Sequence, residues 1–181
     1  EGSIWTSSNG AGVDCFRDEK FVTYSSRVGL SHDLINAVYE DRSGNLWIGT
    51  AGGGLNRLRD GVITPFGTGK GVPGISVNGF GEDREGNLWI TSTNGLWTYR
   101  NGSFSLHLNA EQMRTVKLDG GLVRRSGEVL IASQNRVMQY KNGKLVPYQP
   151  LDSLYGSRAP VFRVYETRSG ALWLTGPDSL Y

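Results

Sequence analysis

The chain has 181 residues, of which 38% are hydrophobic and 20% are charged, as expected of a folded protein. Basic residues number 19 and acidic residues 17, and the charges are scattered, so no nucleic-acid partner is expected. The single cysteine, Cys15, excludes a disulfide bond within the chain. No apolar run approaches the ~18 residues of a membrane span, so this segment is not expected to insert into a membrane.

The first predicted element begins with a motif that recurs along the whole chain: a polar turn, a glycine, then apolar residues that usually include Trp. The anchor glycines are Gly2, Gly44, Gly86, Gly127 and Gly170, and their spacing is 41 to 43 residues. A period of about 40–45 residues is typical of one four-stranded propeller blade. The sequence therefore predicts an all-β chain, a β-propeller made of four-stranded antiparallel blades.

The second copy shows the predicted strands in chain order. Ile35–Tyr39 is rich in β-formers, and Leu46–Ile48 is apolar without alternation, which indicates a strand covered on both faces. Leu55–Leu58 is the third strand. Asp60-Gly61 is a two-residue hairpin signal that leads into a fourth strand, Val62–Phe66.

The turns of the repeat carry acidic residues in register. Asp41 opens a turn that ends in glycine three residues later, which is the pattern of a type I turn. The recurring acidic residues are Glu40, Asp41, Glu82, Asp83 and Glu166. We interpret them as turn residues rather than as the facing carboxylate pair that glycoside hydrolysis requires.

The fourth copy departs from this pattern. Val123-Arg124 stands where the earlier copies have Glu-Asp, and Leu130 stands where they have Trp. These differences predict a sheet that packs less well than its neighbours, or one that is adapted to another role.

The repeat predicts three whole blades with a partial blade at either end. The predicted segments are 1–26, 35–66, 77–107, 115–148 and 161–181. Because the last segment continues past its first strand, we expect a piece of a longer propeller rather than a closed ring. Exposed terminal blades favour self-association with another copy.

The tryptophans divide into two groups. Trp5, Trp47, Trp89 and Trp173 recur at one place in the repeat, so we expect them to pack between blades. Trp97 stands where the other copies have smaller or polar residues. Because the other copies pack without a large side chain at this position, Trp97 is a candidate for ligand contact.

Candidate binding residues vary between copies and lie mainly on the connections between blades. They are Arg27, His32, Asp33, Asn36, Lys70, Asn78, Trp97, Tyr155 and Arg158. Amide, guanidinium and phenol groups suit hydroxyl-rich ligands because they donate and accept hydrogen bonds in fixed directions. A plain surface role for His32 and a turn-forming role for the two asparagines remain alternatives.

Other chemistry finds little support in the sequence. Metal binding needs clustered ligands at suitable spacing, and none appears, so no metal and no cofactor is expected. His107 occupies a fourth-strand position and is expected to be a packed residue. Gly52-Gly53-Gly54 is interpreted as a hairpin turn, since no helix or Lys-Ser/Thr follows it.

The segments Tyr39–Thr50 and Gly81–Ser92 resemble the two-component regulator propeller repeat, and Gly29-Leu30-Ser31 with Asn36 resembles the linker between its blades. The Asp-box of sialidase-like propellers is a rival, but there the aspartate precedes the glycine by two residues instead of three. The resemblance implies a bacterial sensor whose propellers lie outside the cytoplasmic membrane, in the periplasm or extracellular space. It also implies an output domain elsewhere in the parent chain.

The predicted function is therefore non-enzymatic sensing of a small-molecule or oligosaccharide ligand, with the remaining blades and the output domain as intramolecular partners. Carbohydrate is the ligand class that the resemblance favours. A scaffold for protein–protein interaction is the first alternative. A propeller lyase or glycoside hydrolase is the second.

Overall fold

The computed structural model describes residues 3–8, 11–17, 20–69, 71–113, 118–133, 136–150 and 163–175. Almost all regular structure in these ranges is β, and a short 3-10 helix spans Ser26–Val28. The chain divides into two compact units, Glu1–Val77 and Asn78–Tyr181. No helix within the described ranges is long and apolar enough to cross a bilayer.

Unit 1 contains two sheets in which each strand pairs antiparallel with the next along the chain. The first sheet has three strands: β1 (Ile4–Ser8), β2 (Gly12–Arg17) and β3 (Lys20–Tyr24). The second has four: β4 (Ile35–Glu40), β5 (Leu46–Thr50), β6 (Leu55–Arg59) and β7 (Val62–Gly67). The residues between β3 and β4 form a linker, which we call the 25–34 linker and which contains the 3-10 helix.

Unit 2 repeats the four-stranded arrangement twice and begins a third sheet. Its first sheet is β8 (Val77–Glu82), β9 (Leu88–Ser92), β10 (Gly95–Arg100) and β11 (Ser103–Asn109). The next is β12 (Leu118–Val123), β13 (Val129–Ser133), β14 (Arg136–Lys141) and β15 (Lys144–Pro147). The last described strands are β16 (Arg163–Glu166) and β17 (Leu172–Thr175).

The predicted hairpin signals are confirmed by the backbone. Asp60, Asn101 and Asn142 have φ of 51°, 49° and 50°, and the glycine that follows each one also has positive φ. Two successive residues with positive φ are the requirement of a type I′ turn, whose twist matches that of the flanking strands.

The second strand of each sheet is the most buried. All five residues of β5 are buried, and so are all five of β13, which confirms that these strands are covered on both faces. In unit 1, buried residues of both sheets form one core: Val13, Leu30, Leu46, Ile48 and Leu58. Of the two alternatives predicted for the fourth copy, looser packing is not seen at Leu130, which is fully buried where Trp stands elsewhere.

Packing of the recurrent tryptophans is confirmed in the middle copies and wrong in the last. Trp47 is 1% exposed, and Trp89 lies 5.5 Å from Tyr140 of the neighbouring sheet, between ring centroids. Trp173 is 44% exposed, and its partner across the strand pair, Tyr165, is 65% exposed. Leu174 on the other face of β17 is buried, so the described residues cover only one face of this strand pair.

Candidate functional site

The recurrent aspartates hold turns together. The Asp41 carboxylate accepts hydrogen bonds from the backbone N–H groups of Ser43 and Asn45, from Asn45 Nδ2 and from Trp47 Nε1, at 2.7–2.9 Å. Partial burial raises the pKa of Asp41, but the hydrogen bonds from Trp47 and Asn45 outweigh it and hold the pKa below its usual value. This carboxylate is committed to the turn, as the sequence interpretation expected.

The 25–34 linker packs closely against the turn between β5 and β6. A Cβ placed on Gly52 would lie 2.8 Å from His32 Cδ2, and one on Gly53 would lie 2.6 Å from the carbonyl carbon of Ser31. Only glycine permits this approach, since neither position leaves room for a side chain. The glycine turn therefore seats the linker rather than merely reversing the chain.

A buried asparagine fixes the middle of the same linker. Asn56, on β6, is fully buried; its Oδ1 accepts the Ser31 backbone N–H at 3.0 Å and its Nδ2 donates to Ser31 Oγ at 2.8 Å. A buried amide is stable only when its groups are paired, so this clamp fixes the linker position. The sequence interpretation missed Asn56, because its partner Ser31 lies 25 residues away in the chain.

The predicted site residues Arg27, His32 and Asp33 lie together on this linker. Asp33 accepts hydrogen bonds from Ser26 N and Ser26 Oγ at 2.6 and 2.7 Å, which lower the pKa of its carboxyl. Arg27 and His32 lie close enough to contribute to the same lowering. Asp33 thus bonds one end of the linker to the other, while Arg27 is exposed within the short helix.

The orientation of His32 is set by the backbone. Its Nδ1 accepts the N–H of Leu34 at 3.0 Å, so in the neutral ring the proton is on Nε2. His32 is half-buried against the glycine turn. It therefore offers one hydrogen-bond donor in a fixed direction at the linker end of the second sheet.

The two predicted asparagines differ in what the structure shows of them. Asn36 lies at an irregularity in the β4–β5 register and donates from Nδ2 to Ser76 Oγ at 3.0 Å. Asn78 lies on β8, in unit 2, and is half-buried. Lys70, Tyr155 and Arg158 lie outside the described residues.

Trp97 is a correction to the sequence interpretation. It is 5% exposed, and its Nε1 donates to Asn94 Oδ1 at 2.8 Å. An indole buried to this extent, with its N–H paired, presents almost no surface to a ligand. Trp97 belongs to the core of its sheet and leaves the candidate site.

His107 is a packed residue, as predicted. Its Nε2 lies 2.9 Å from Thr98 Oγ1 and its Nδ1 3.3 Å from Tyr140 Oη, while its ring lies 4.7 Å from the Trp89 ring, centroid to centroid. Burial lowers the pKa of His107, so the neutral ring is favoured in the folded state.

The remaining chemistry of the described ranges is sparse. Within them, no three His, Cys, Asp or Glu side chains are grouped as metal ligands would be. The linker groups of unit 1 can donate and accept hydrogen bonds, and together they form the candidate binding site.

Comparison with protein families matches residues 29–52 to the two-component regulator propeller. The comparison with curated protein sequences found no match. The matched segment contains the 25–34 linker from Gly29 onward and continues through β5 to the glycine turn.

Solved structures with similar folds are propeller domains. Two are extracellular domains of hybrid two-component systems from B. thetaiotaomicron. One is 20% identical with a TM-score of 0.68, covering 96% of this chain and 24% of that one. The other is 16% identical with a TM-score of 0.76, covering 98% and 25%. The chain thus spans about a quarter of their length.

A third similar structure is an enzyme. Virginiamycin B lyase from Staphylococcus aureus is 14% identical with a TM-score of 0.67, covering 97% of this chain and 63% of that chain. Together with the four-stranded antiparallel sheets, these likenesses confirm the predicted β-propeller fold.

Proposed function

We propose, from the premise that residues 29–52 are a two-component regulator propeller repeat, that the chain is a ligand-sensing segment of a bacterial signalling receptor. Its propeller fold is that of extracellular domains of two-component systems, which supports a location outside the cytoplasmic membrane. Its task is binding rather than catalysis.

The rigid 25–34 linker is the observation that carries this proposal. Asn56 holds Ser31, the glycine turn seats His32, and Asp33 is bonded to Ser26. Because these contacts exist before a ligand arrives, binding does not have to order the loop, which lowers its entropic cost. A linker that only connected two sheets would not need three independent restraints.

Carbohydrate is the ligand class we propose. Arg27 supplies guanidinium donors, His32 an N–H donor and Asn36 an amide, and such groups pair with the hydroxyls of a sugar in defined directions. Lys70, Asn78, Tyr155 and Arg158 remain proposed contacts from the sequence alone.

Signalling requires that ligand binding change a conformational equilibrium. A ligand shifts that equilibrium only as far as its affinity differs between the two states. We propose that the remaining blades and the output domain of the parent chain supply those two states, and that self-association is a further route.

The test is a glycan array with the wild-type chain, followed by calorimetry on any glycan that binds. His32→Ala and Arg27→Ala should each weaken binding by about 3–10-fold, the usual worth of one hydrogen bond. Arg100→Ala, which removes an exposed arginine on another sheet, is the matched control and should leave affinity unchanged. Binding that survives both linker substitutions would contradict the proposed site.

A lyase activity is the second candidate, supported by the likeness to virginiamycin B lyase. Turnover of virginiamycin B or of a glycan by the wild-type chain, lost in His32→Ala, would favour it over sensing. Capture of a protein partner that depends on the linker residues would instead favour the scaffold.

A further inference from the structure

A cavity of about 490 Å³ lies between the two sheets of unit 1. Gly44 and Gly61, from the β4–β5 and β6–β7 turns, line it, so it opens at one end of the second sheet. The 25–34 linker and the glycine turn lie at the other end. The volume falls in the range of about 300–1,000 Å³ that small-molecule sites occupy.

The walls of the cavity are apolar and partly aromatic. Trp5 pairs with Cys15 and Cys15 with Val22 across the first sheet, so their side chains share one face. Leu46 and Leu58 are a paired row on the second sheet and line the opposite wall. The paired rows of Cys15, Val22, Leu46 and Leu58 are apolar, so an apolar body packs against them more favourably than sugar hydroxyls do.

The rim of the cavity carries a net negative charge. Glu40, Asp60 and Arg59 all line it, which gives two carboxylates and one guanidinium. Arg59 Nε lies 3.6 Å from Asp60 Oδ2, and the two side chains are 56% and 91% exposed. Among the described residues, the Glu40 carboxylate forms no hydrogen bond or ion pair, so its charge is available.

We propose that this cavity binds a small organic cation with an apolar body, such as an alkyl- or arylammonium ion. The ammonium group would lie between the Glu40 carboxylate and the aromatic wall formed by Trp5 and Tyr24, whose ring centroids are 6.0 Å apart. A cation is attracted both to a carboxylate and to an aromatic face, whereas the apolar body fills space that water occupies poorly.

Cys15 makes the proposal directly measurable, since it is the only cysteine of the chain and lines the cavity wall. Two methanethiosulfonate reagents of opposite charge, one ending in trimethylammonium and one in sulfonate, would be reacted with the intact chain and followed by mass spectrometry. Each rate would be normalised to the rate with an unstructured cysteine peptide.

We expect the cationic reagent to label Cys15 several-fold faster than the anionic one. One elementary charge about 6 Å away in water changes such a rate about three-fold, so Glu40→Gln should largely remove the preference. The double variant Glu40→Gln/Asp60→Asn should reverse it. Asp60→Asn is conformationally safe, because Asn101 and Asn142 adopt the same positive φ at the same place in their hairpins. Glu111→Gln, which removes an exposed charge elsewhere, should change nothing.

Reversible binding is tested by protection of Cys15 from an uncharged methanethiosulfonate. Benzyltrimethylammonium should slow this labelling in the wild type and lose its effect in Glu40→Gln. Equal rates for the two charged reagents, equal protection by methyl glucoside, or no labelling of the folded chain would each overturn the proposal. His32→Ala should leave the protection intact, which separates this cavity from the linker site.

Discussion

The turns that follow β8 and β12 share a backbone but are held by side chains of opposite charge. In each, the first residue donates its N–H to the carbonyl four residues on, Asn87 in one and Glu128 in the other. In the first turn, the Asp83 carboxylate accepts four hydrogen bonds, at 2.8–3.1 Å, all from the next six residues of the chain. These four hydrogen bonds are local.

Arg124 replaces that aspartate in the second turn and reaches other elements. Its Nη1 donates to Tyr148 Oη at 2.6 Å and to Glu128 at 2.9 Å, and its Nε donates to Glu166, on β16, at 3.0 Å. Glu166 also accepts the Arg125 N–H at 2.8 Å. The same turn has thus become a tie between neighbouring sheets, which is the adaptation that the fourth copy carries.

The largest expected effect is on the cross-sheet tie. The side chains of Arg124 and Glu166 are 18% and 6% exposed, so Glu166→Ala leaves a mostly buried guanidinium short of a partner. We expect unfolding free energy to fall by about 3 kcal/mol, measured by urea denaturation. Glu85→Ala, on an exposed turn, is the control. A loss below about 0.5 kcal/mol would mean that the tie is dispensable.

Asp83→Ala should cost somewhat less, about 2 kcal/mol, because the turn keeps its backbone while Trp89 Nε1 and the Asn87 groups lose their acceptor. Asp83→Asn should fall between wild type and Asp83→Ala, since an amide oxygen still accepts but carries no charge. An asparagine variant as unstable as the alanine variant would contradict a role as acceptor.

Tyr148→Phe removes one hydrogen bond of Arg124, the one that its Nη1 donates to Tyr148 Oη. Tyr148 is 4% exposed, so phenylalanine preserves packing and removes only the hydroxyl. We expect a loss of about 1 kcal/mol. Tyr165→Phe, at a residue 65% exposed, should be silent in the same denaturation experiment. Equal losses would indicate that the hydroxyl contributes through general solvation.

The smallest expected effect is a pH dependence of stability that comes from His107, which lies in neither turn. Burial lowers the pKa of His107, so the folded state binds this proton less tightly than the unfolded state does. The contribution of His107 to the unfolding free energy is therefore fully present above the ordinary pKa of 6.5 and decreases as pH falls below it. His107→Gln should flatten the profile between pH 7.5 and 5.5. The Asp41 and Asp83 contributions are lost only below the ordinary value of 3.8, which separates the two windows.

The sequence predicted those features that depend on local spacing. The 41–43 residue period and the Asp-Gly and Asn-Gly pairs predicted the sheets and their hairpins, because turn chemistry and strand pairing act over a few residues. The packing of His107 was predicted from its place in the repeat. Each of these needs no knowledge of distant partners.

The features that the sequence did not predict depend on partners distant in the chain or on which neighbouring elements bury a residue. Arg124 meets Glu166 across 42 residues, and Asn56 meets Ser31 across 25, so neither pairing is visible in a single sequence. The burial of Trp97 depends on the residues packed around it rather than on its place in the repeat. Trp173 is exposed because burial of a strand face depends on the element packed against it, which the sequence of the strand itself does not reveal.

Amide hydrogen exchange on Asp83→Ala and Glu166→Ala, compared with wild type, tests most directly whether one turn acts locally and the other between sheets. We predict that Asp83→Ala lowers protection chiefly in β9 and β10, whereas Glu166→Ala lowers it in both β12–β13 and β16–β17. Loss of protection confined to β16–β17 in Glu166→Ala would contradict it.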